Sequence, residues 1–234
     1  TDEAGRPDTI DAEKLKVIQQ NGTTRISINP QTMNDSVLKI IGRNHTADDT
    51  EKAFELARKI GFDNINMDLI AGLPGDNFES FKDTLAKIIN LDPESVTVHS
   101  LSMKRASTLT AKGSFPELEM GAEASKMVGY ARETLTQNGI LPYYMYRQSK
   151  TVGNLENVGY AKAGYEGLYN VYIMDETHTI LACGASAVTK LKDTASKTIK
   201  RIFNFKYPYE YISGFDELMN RKHEIGEFYD KYFK

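Results

Sequence analysis

Between residues 25 and 101 the spacing of apolar side chains switches repeatedly between every second position and every third or fourth. Arg25-Ile26-Ser27-Ile28-Asn29 alternates like a strand and is closed by Pro30, which cannot donate to a ladder. Asn34 can cap a helix that turns Val37, Leu38 and Ile41 inward and stops at Gly42. Thr46 and Asp49 have the spacing of a capping box, and they precede Ala53, Phe54, Ala57 and Ile60 at the helical period, with Gly61 as the stop. Ile65, Met67 and Leu69 are the inward set of the next strand, which runs into a turn over 72–75. Phe78, Phe81, Leu85 and Ile88 then mark a helix, and 95–101 a further strand. Strand, helix, strand in this order with short connections predicts an α/β fold with a parallel sheet and right-handed crossovers, either a barrel or an open doubly wound sheet. In both, ligands gather at the C-terminal ends of the strands.

The flanks read differently. Upstream, Thr9 or Asp8 can cap a short helix carrying Leu15 and Ile18. Downstream, a helix is expected over 118–138, then Tyr-rich, β-prone segments at 143–147, 169–174, 179–188 and 199–205, with a hairpin turn at 175–178. The tail from 207 reads as two helices split near Arg221, burying Phe215, Leu218, Ile225, Phe228 and Tyr232. Three parts are therefore expected: an α/β part over 1–138, a β-rich extension over 139–206 and a helical tail over 207–234.

Composition removes several classes of function. The 29 Lys and Arg against 32 Asp and Glu give a net charge of −3, so no global basic field points to nucleic acid or anionic lipid. No apolar run approaches the roughly 18 residues of a membrane helix, so a soluble protein with no membrane partner is expected. The one cysteine, Cys183, rules out an internal disulfide, a cysteine-rich zinc site and any iron-sulfur cluster that takes several thiolates from these residues. Its setting in an apolar segment suggests a buried, inert thiol. His45, His99, His178 and His223 lack the spacing of a zinc site, and no phosphate-binding glycine motif or nucleophile elbow occurs.

What remains is polar residues where a parallel sheet should be apolar. Glu3 stands at the end of a first strand, Gln31 just after the second, Asp68 inside the third and His99 in the fourth; Arg43 follows a helix-ending glycine and can lean over the same rim. Taken singly, Asp68 can be a carboxylate that supports its own loop, and His99 a satisfied core histidine. Lys104 and Arg105 follow the fourth strand, and Arg147 and Lys150 the Tyr143–Tyr146 segment. Both pairs can clamp carboxylates or lie solvated at the surface. The tyrosines read first as core and sheet-face residues, and second as a wall for a flat ligand.

An ordered series of segments resembles the oxygen-independent coproporphyrinogen III oxidase family of radical S-adenosylmethionine (SAM) enzymes, in its coproporphyrinogen dehydrogenase-like branch. Glu3-Ala4-Gly5-Arg6-Pro7 is similar to that family's third-strand acidic motif, 25–31 to its fourth strand and Gly42-Arg43-Asn44-His45 to the helix end that follows. Residues 66–75, 97–107, 146–148 and 153–160 continue the series. The resemblance covers roughly 1–190. It implies a partial (β/α) barrel of the radical SAM type with a C-terminal α+β extension, and a cytoplasmic protein. Its cofactors would be SAM and a 4Fe-4S cluster, and its partners a tetrapyrrole substrate and an electron donor. The implied reaction is oxidative decarboxylation of coproporphyrinogen III propionates to vinyls in haem biosynthesis, through a deoxyadenosyl radical. By the same resemblance Glu3, Gln31, Arg43 and Asp68 would contact the methionyl and ribose parts of SAM, and the backbone of Ile70, Ala71 and Gly72 its adenine. Lys104, Arg105 and Arg147 would bind substrate propionates; no catalytic residue and no metal ligand is assigned.

One departure from the family is severe, because its Cys-x-x-x-Cys-x-x-Cys cluster loop has no counterpart here. The expectation is a chain cut at its N-terminus, inactive without cluster cysteines supplied upstream. Two alternatives stand beside it: a haem or porphyrin carrier of the same family without decarboxylase activity, and a plain α/β binding module.

Overall fold

The computed structural model describes residues 1–102, 117–149, 151–193, 196 and 198–232. Its contacts divide the chain into two units, 1–167 and 168–234.

In the first unit, β1 (Asp2–Gly5), β2 (Ile26–Ile28), β3 (Ile65–Ala71) and β4 (Ser95–Ser100) alternate with α1 (Ala12–Gln20), α2 (Asp35–Ile40), α3 (Ala47–Ile60) and α4 (Phe78–Leu91), as the changing period predicts. After α5 (Glu117–Gln137) come β5 (Leu141–Tyr146) and β6 (Asn157–Ala161). The sheet order is β1-β2-β3-β4-β6-β5, with β1 to β4 parallel and β6 antiparallel to both of its neighbours.

Local chemistry sets the helix ends. Asn34 accepts the Ser36 N–H at 3.0 Å, Thr46 and Asp49 cap each other reciprocally, and Gly61 ends α3 at φ 109°. The first helix begins later than expected. Pro7–Thr9 forms a 3-10 turn, and it is Asp11 that accepts the Lys14 N–H at 2.8 Å.

One face of the sheet carries Ile26, Ile28, Ile65, Met67, Leu69, Val96 and Val98, all buried against Leu15, Phe54, Phe81, Leu85 and Met127 of the helices. Alternation forces Ser27, Asn66, Asp68, Thr97 and His99 onto the other face.

The second unit holds α6 (Leu168–Asp175), a hairpin of β7 (Val188–Lys192) and β8 (Ile199–Phe203), α7 (Pro208–Ser213) and α8 (Phe215–Tyr232) around Leu191, Ile202 and Phe228. Here several expectations fail. The division falls after 167, and not at 138 and 206, because β5 and β6 complete the first unit's sheet. Residues 169–174 lie in a helix that buries none of its residues fully. Apolar on all sides, the segment carries neither period clearly. Residues 179–187 make a single bridge, Ile180 to Lys190, so Cys183 has no strand to bury it and is exposed. The tail breaks at Gly214, where a Cβ would meet the Phe205 ring at 2.6 Å, and α8 runs unbroken through Arg221. Of its expected buried face, Leu218 and Phe228 are buried while Phe215 and Tyr232 are largely exposed. Among the described residues no helix is long and apolar enough to cross a membrane.

Candidate functional site

The face opposite the core is a continuous polar floor. Asn66 Nδ2 donates to Ser27 Oγ at 3.1 Å and to Asp68 Oδ1 at 2.7 Å, while Thr97 Oγ1 donates to Asn66 Oδ1 at 3.2 Å. These bonds step from β2 across β3 to β4, so strand register and polar network fix each other. At the floor's lower end the buried Arg25 reaches from β2 to Ser95 Oγ at 3.1 Å. At the ligand end Asn29 Nδ2 donates to Glu3 Oε2 at 2.9 Å, and the buried Asn29 Oδ1 has no partner.

Asp68 is the hinge of this floor. Its Oδ2 lies 3.4 Å from His99 Nε2, and the other ring nitrogen, Nδ1, lies 3.3 Å from the Tyr146 hydroxyl. Burial pushes the Asp68 carboxyl up. The hydrogen bond and charge of His99, with hydrogen bonds from Asn66 and Thr97, outweigh burial and hold it below the usual carboxylate value. The group's contribution to stability is therefore complete above its unfolded value near 3.8 and drains as pH falls through the lower folded value. Asp68→Asn is expected to flatten the acid limb of a stability–pH curve below about pH 4. An acid limb identical to wild type would remove the claim that this carboxylate is engaged.

Two tyrosines stand over β6 beside it. Tyr144 and Tyr146 stack with ring centroids 6.3 Å apart and planes 8° apart. Burial raises both phenols above their usual value, and the Asp68 charge adds to the effect on each. Tyr144 belongs to β5, two strands away from β4, yet its phenol comes near enough to Thr97 for that residue to offset part of the rise. It reaches there because β6 presents Gly159, where a Cβ would sit 1.9 Å from the tyrosine ring.

The sequence-predicted residues are distributed as follows. Glu3 in β1, Gln31 just after β2 and Asp68 midway along β3 fall on three adjacent strands, with Gln31 bridged to Leu69 beside Asp68. Gln31 holds φ 68°, an uncommon conformation for a residue with a side chain; its N–H donates to Asp68 O at 3.0 Å and its carbonyl accepts the Ile70 N–H at 2.9 Å. His45 Nε2 donates to Pro30 O at 3.0 Å and so steadies the same turn. Arg43, half-buried just after α2, has no ion-pair partner among the described residues. Ile70 packs among Val37, Leu73 and Leu101. The Ala71 carbonyl is occupied by the Leu101 N–H, and the Gly72 N–H points at Met127 Sδ, 3.3 Å away. Arg147 is paired with Glu156. Lys104, Arg105 and Lys150 lie outside the described residues. Tyr144, Tyr146 and Asn66 were missed as site residues. For the tyrosines, the signal was a glycine in a strand facing aromatic residues in another.

Comparison with known proteins places this geometry. A family model described as the Radical SAM superfamily matches residues 4–88. The oxygen-independent coproporphyrinogen-III oxidase-like protein HemZ of Bacillus subtilis is 44% identical over 222 residues, covering 95% of this chain and 44% of that protein. The heme chaperone HemW of the same organism is 34% identical over 185 residues, covering 76% of this chain and 45% of its own length. This chain thus spans about half the length of the curated relatives it matches. The solved coproporphyrinogen III oxidase HemN of Escherichia coli shares the fold, with a TM-score of 0.67 at 21% identity over 91% of this chain and 48% of that one. Strands β1 to β4 of the sheet described above thus share the fold of the parallel part of a radical SAM barrel. The chain belongs to the radical SAM superfamily, and the relatives it is similar to are that superfamily's coproporphyrinogen oxidase-like proteins.

Proposed function

We propose that these 234 residues form the SAM- and tetrapyrrole-cradling part of a protein that oxidatively decarboxylates two propionates of coproporphyrinogen III to vinyls. The observation that carries this reading is the 44% identity to the oxidase-like relative across nearly the whole chain.

The residues present suit SAM. The exposed Glu3 carboxylate and the unpartnered Asn29 Oδ1 offer acceptors to an ammonium group, the unpaired Arg43 guanidinium suits a carboxylate, and the ionised Asp68 suits ribose hydroxyls. Gln31, fixed in its uncommon backbone conformation, carries its side chain from the same rim. At 70–72 the apolar packing of Ile70 supports an adenine contact better than hydrogen bonding does, since the Ala71 carbonyl and Gly72 N–H are engaged. In such proteins SAM supplies the oxidising chemistry, and this chain's part is to hold the ligand still and apart from water.

The cluster does not fit the residues described. The single thiol is exposed in the second unit, and no group of three or more potential metal ligands occurs among the described residues. In this reading the cluster cysteines come from sequence outside these residues, and the chain by itself does not cleave SAM. Lys104, Arg105 and Arg147 serve the substrate propionates, with Arg147 exchanging Glu156 for the ligand.

The test is to sequence the source DNA upstream of the Thr1 codon. An in-frame Cys-x-x-x-Cys-x-x-Cys within a domain-sized stretch of roughly 150 residues supports a radical enzyme. A cysteine-free extension or an immediate start codon removes that chemistry. A second reading, a haem carrier without decarboxylase activity, is favoured by the similarity to the heme chaperone. Stoichiometric haem uptake with no decarboxylation by the cluster-bearing protein would select it.

A further inference from the structure

The ring of Pro30 fixes its φ, so the peptide that joins Pro30 to Gln31 is oriented by one rotation, about the Pro30 Cα–C bond. That peptide is trans, and a trans unit presents its carbonyl and its N–H on opposite sides. Both sides are held. The Gln31 N–H donates to Asp68 O at 3.0 Å, and the Pro30 carbonyl accepts from His45 Nε2 at 3.0 Å. Turning this peptide over would swing the carbonyl off His45 and carry Gln31 out of the left-handed φ of 68° that it holds despite its side chain. Beyond the turn Thr84 of α4 takes over, since its Oγ1 lies 3.2 Å from Thr32 Oγ1 and accepts the Met33 N–H at 3.1 Å.

A carbonyl can only accept, so His45 Nε2 is the donor whether the ring is neutral or charged. The residue is 2% exposed, and its buried Nδ1 has no hydrogen-bond partner among the described residues. The imidazole is therefore taken out of water for a single hydrogen bond. His45 also stands two residues after Arg43, whose N–H is anchored on the Leu38 carbonyl at 2.9 Å at the end of α2. One bond thus joins the segment that carries Arg43 to the turn that carries Gln31. We infer that His45 is a positioning residue for the SAM site: by latching the Pro30–Gln31 peptide it keeps Gln31 left-handed and at a fixed place relative to Arg43. The inference rests on the SAM reading given above, and it adds a residue that acts through two others.

The experiment titrates the 234-residue chain with SAM by calorimetry. His45→Leu, which fills the space without a donor, is expected to weaken binding about tenfold, a coupling ordinary for groups that share one network. His45→Gln can place an amide N–H near the position of Nε2 and should restore most of the affinity, whereas His45→Asn, one methylene shorter, should not. In a chain that already carries Gln31→Ala, His45→Leu should lose most of its effect on SAM binding while still lowering the melting temperature. A role in the fold alone would weaken binding alike in both backgrounds. Wild-type affinity in a folded His45→Leu chain, or an undiminished effect beside Gln31→Ala, overturns the inference while the SAM reading stands. Should His45→Leu fail to fold, equal affinities of the Gln and Asn variants overturn it instead. Absence of SAM binding by the unmutated chain removes the SAM reading and the inference with it.

Discussion

Glu94→Ala is expected to destabilise the first unit by about 3–5 kcal/mol, the cost of leaving buried partners of a removed charge unpaired. Glu94, buried just before β4, accepts from Arg58 Nη2 at 2.8 Å and from the Ile65 N–H at 2.9 Å. Arg58 in turn stacks over the Phe54 ring, 4.8 Å from its centroid, and donates to the Phe62 and Asp92 carbonyls. One carboxylate thus ties α3 to the starts of β3 and β4. Alanine leaves the Ile65 N–H and a largely buried guanidinium without their acceptor. Urea unfolding at neutral pH reads the change in midpoint. A loss below about 1 kcal/mol, ordinary for a surface ion pair, would show that solvent already shares the contact.

Gly159→Val should act on the site and on stability together. The added Cβ would lie 1.9 and 2.4 Å from two atoms of the Tyr144 ring, so the ring has to leave its place over β6. Overpacking of this kind costs about 1–3 kcal/mol. The stack against Tyr146 and the approach to Thr97 go with it. The expected result is a folded but weakened protein whose Tyr144 ring has left the stack. Tyr144→Ala in the same background should recover much of the stability without restoring the stack. Unchanged near-ultraviolet circular dichroism in Gly159→Val would show that the ring accommodates the methyls elsewhere.

Sequence reveals those parts of the fold whose causes are local. Thr46 and Asp49 announce α3 because a capping box needs residues three apart, and Ile65, Met67 and Leu69 announce β3 because alternation is a property of the strand itself. The candidate residues Glu3, Gln31 and Asp68 stand out in the sequence for a related reason: a carboxylate or amide in an apolar strand is conspicuous wherever the strand goes. The cross-strand network was not. Ser27, Asn66 and Thr97 become partners through the register of three strands, and Tyr146 meets His99 only because β6 inserts between β4 and β5. Residues 169–174 mislead because Tyr, Val and Ile favour strands by small margins that a helix in its tertiary setting overrides. Cys183 misleads similarly, since apolar neighbours in sequence bury a thiol only when they form an element that packs.

The reversed direction of β6 also says how this architecture can diversify. Because β6 runs against β4, the connection from Tyr146 to Asn157 crosses the ligand end of the sheet. It is pinned there by the Val152 N–H on the Leu101 carbonyl at 2.8 Å and by the close approach of Gly153 to Gly121. Ser102 Oγ on the Ser149 carbonyl, Ser100 Oγ on the Glu156 carbonyl and Thr151 Oγ1 on the Leu155 carbonyl add local ties, yet none of these is a ladder bond of the sheet, so the connection can change without breaking one. Related proteins can therefore vary what stands over this end of the sheet through one connection while inheriting the same floor, so that sequence differences among them would fall in that connection more than in the strands.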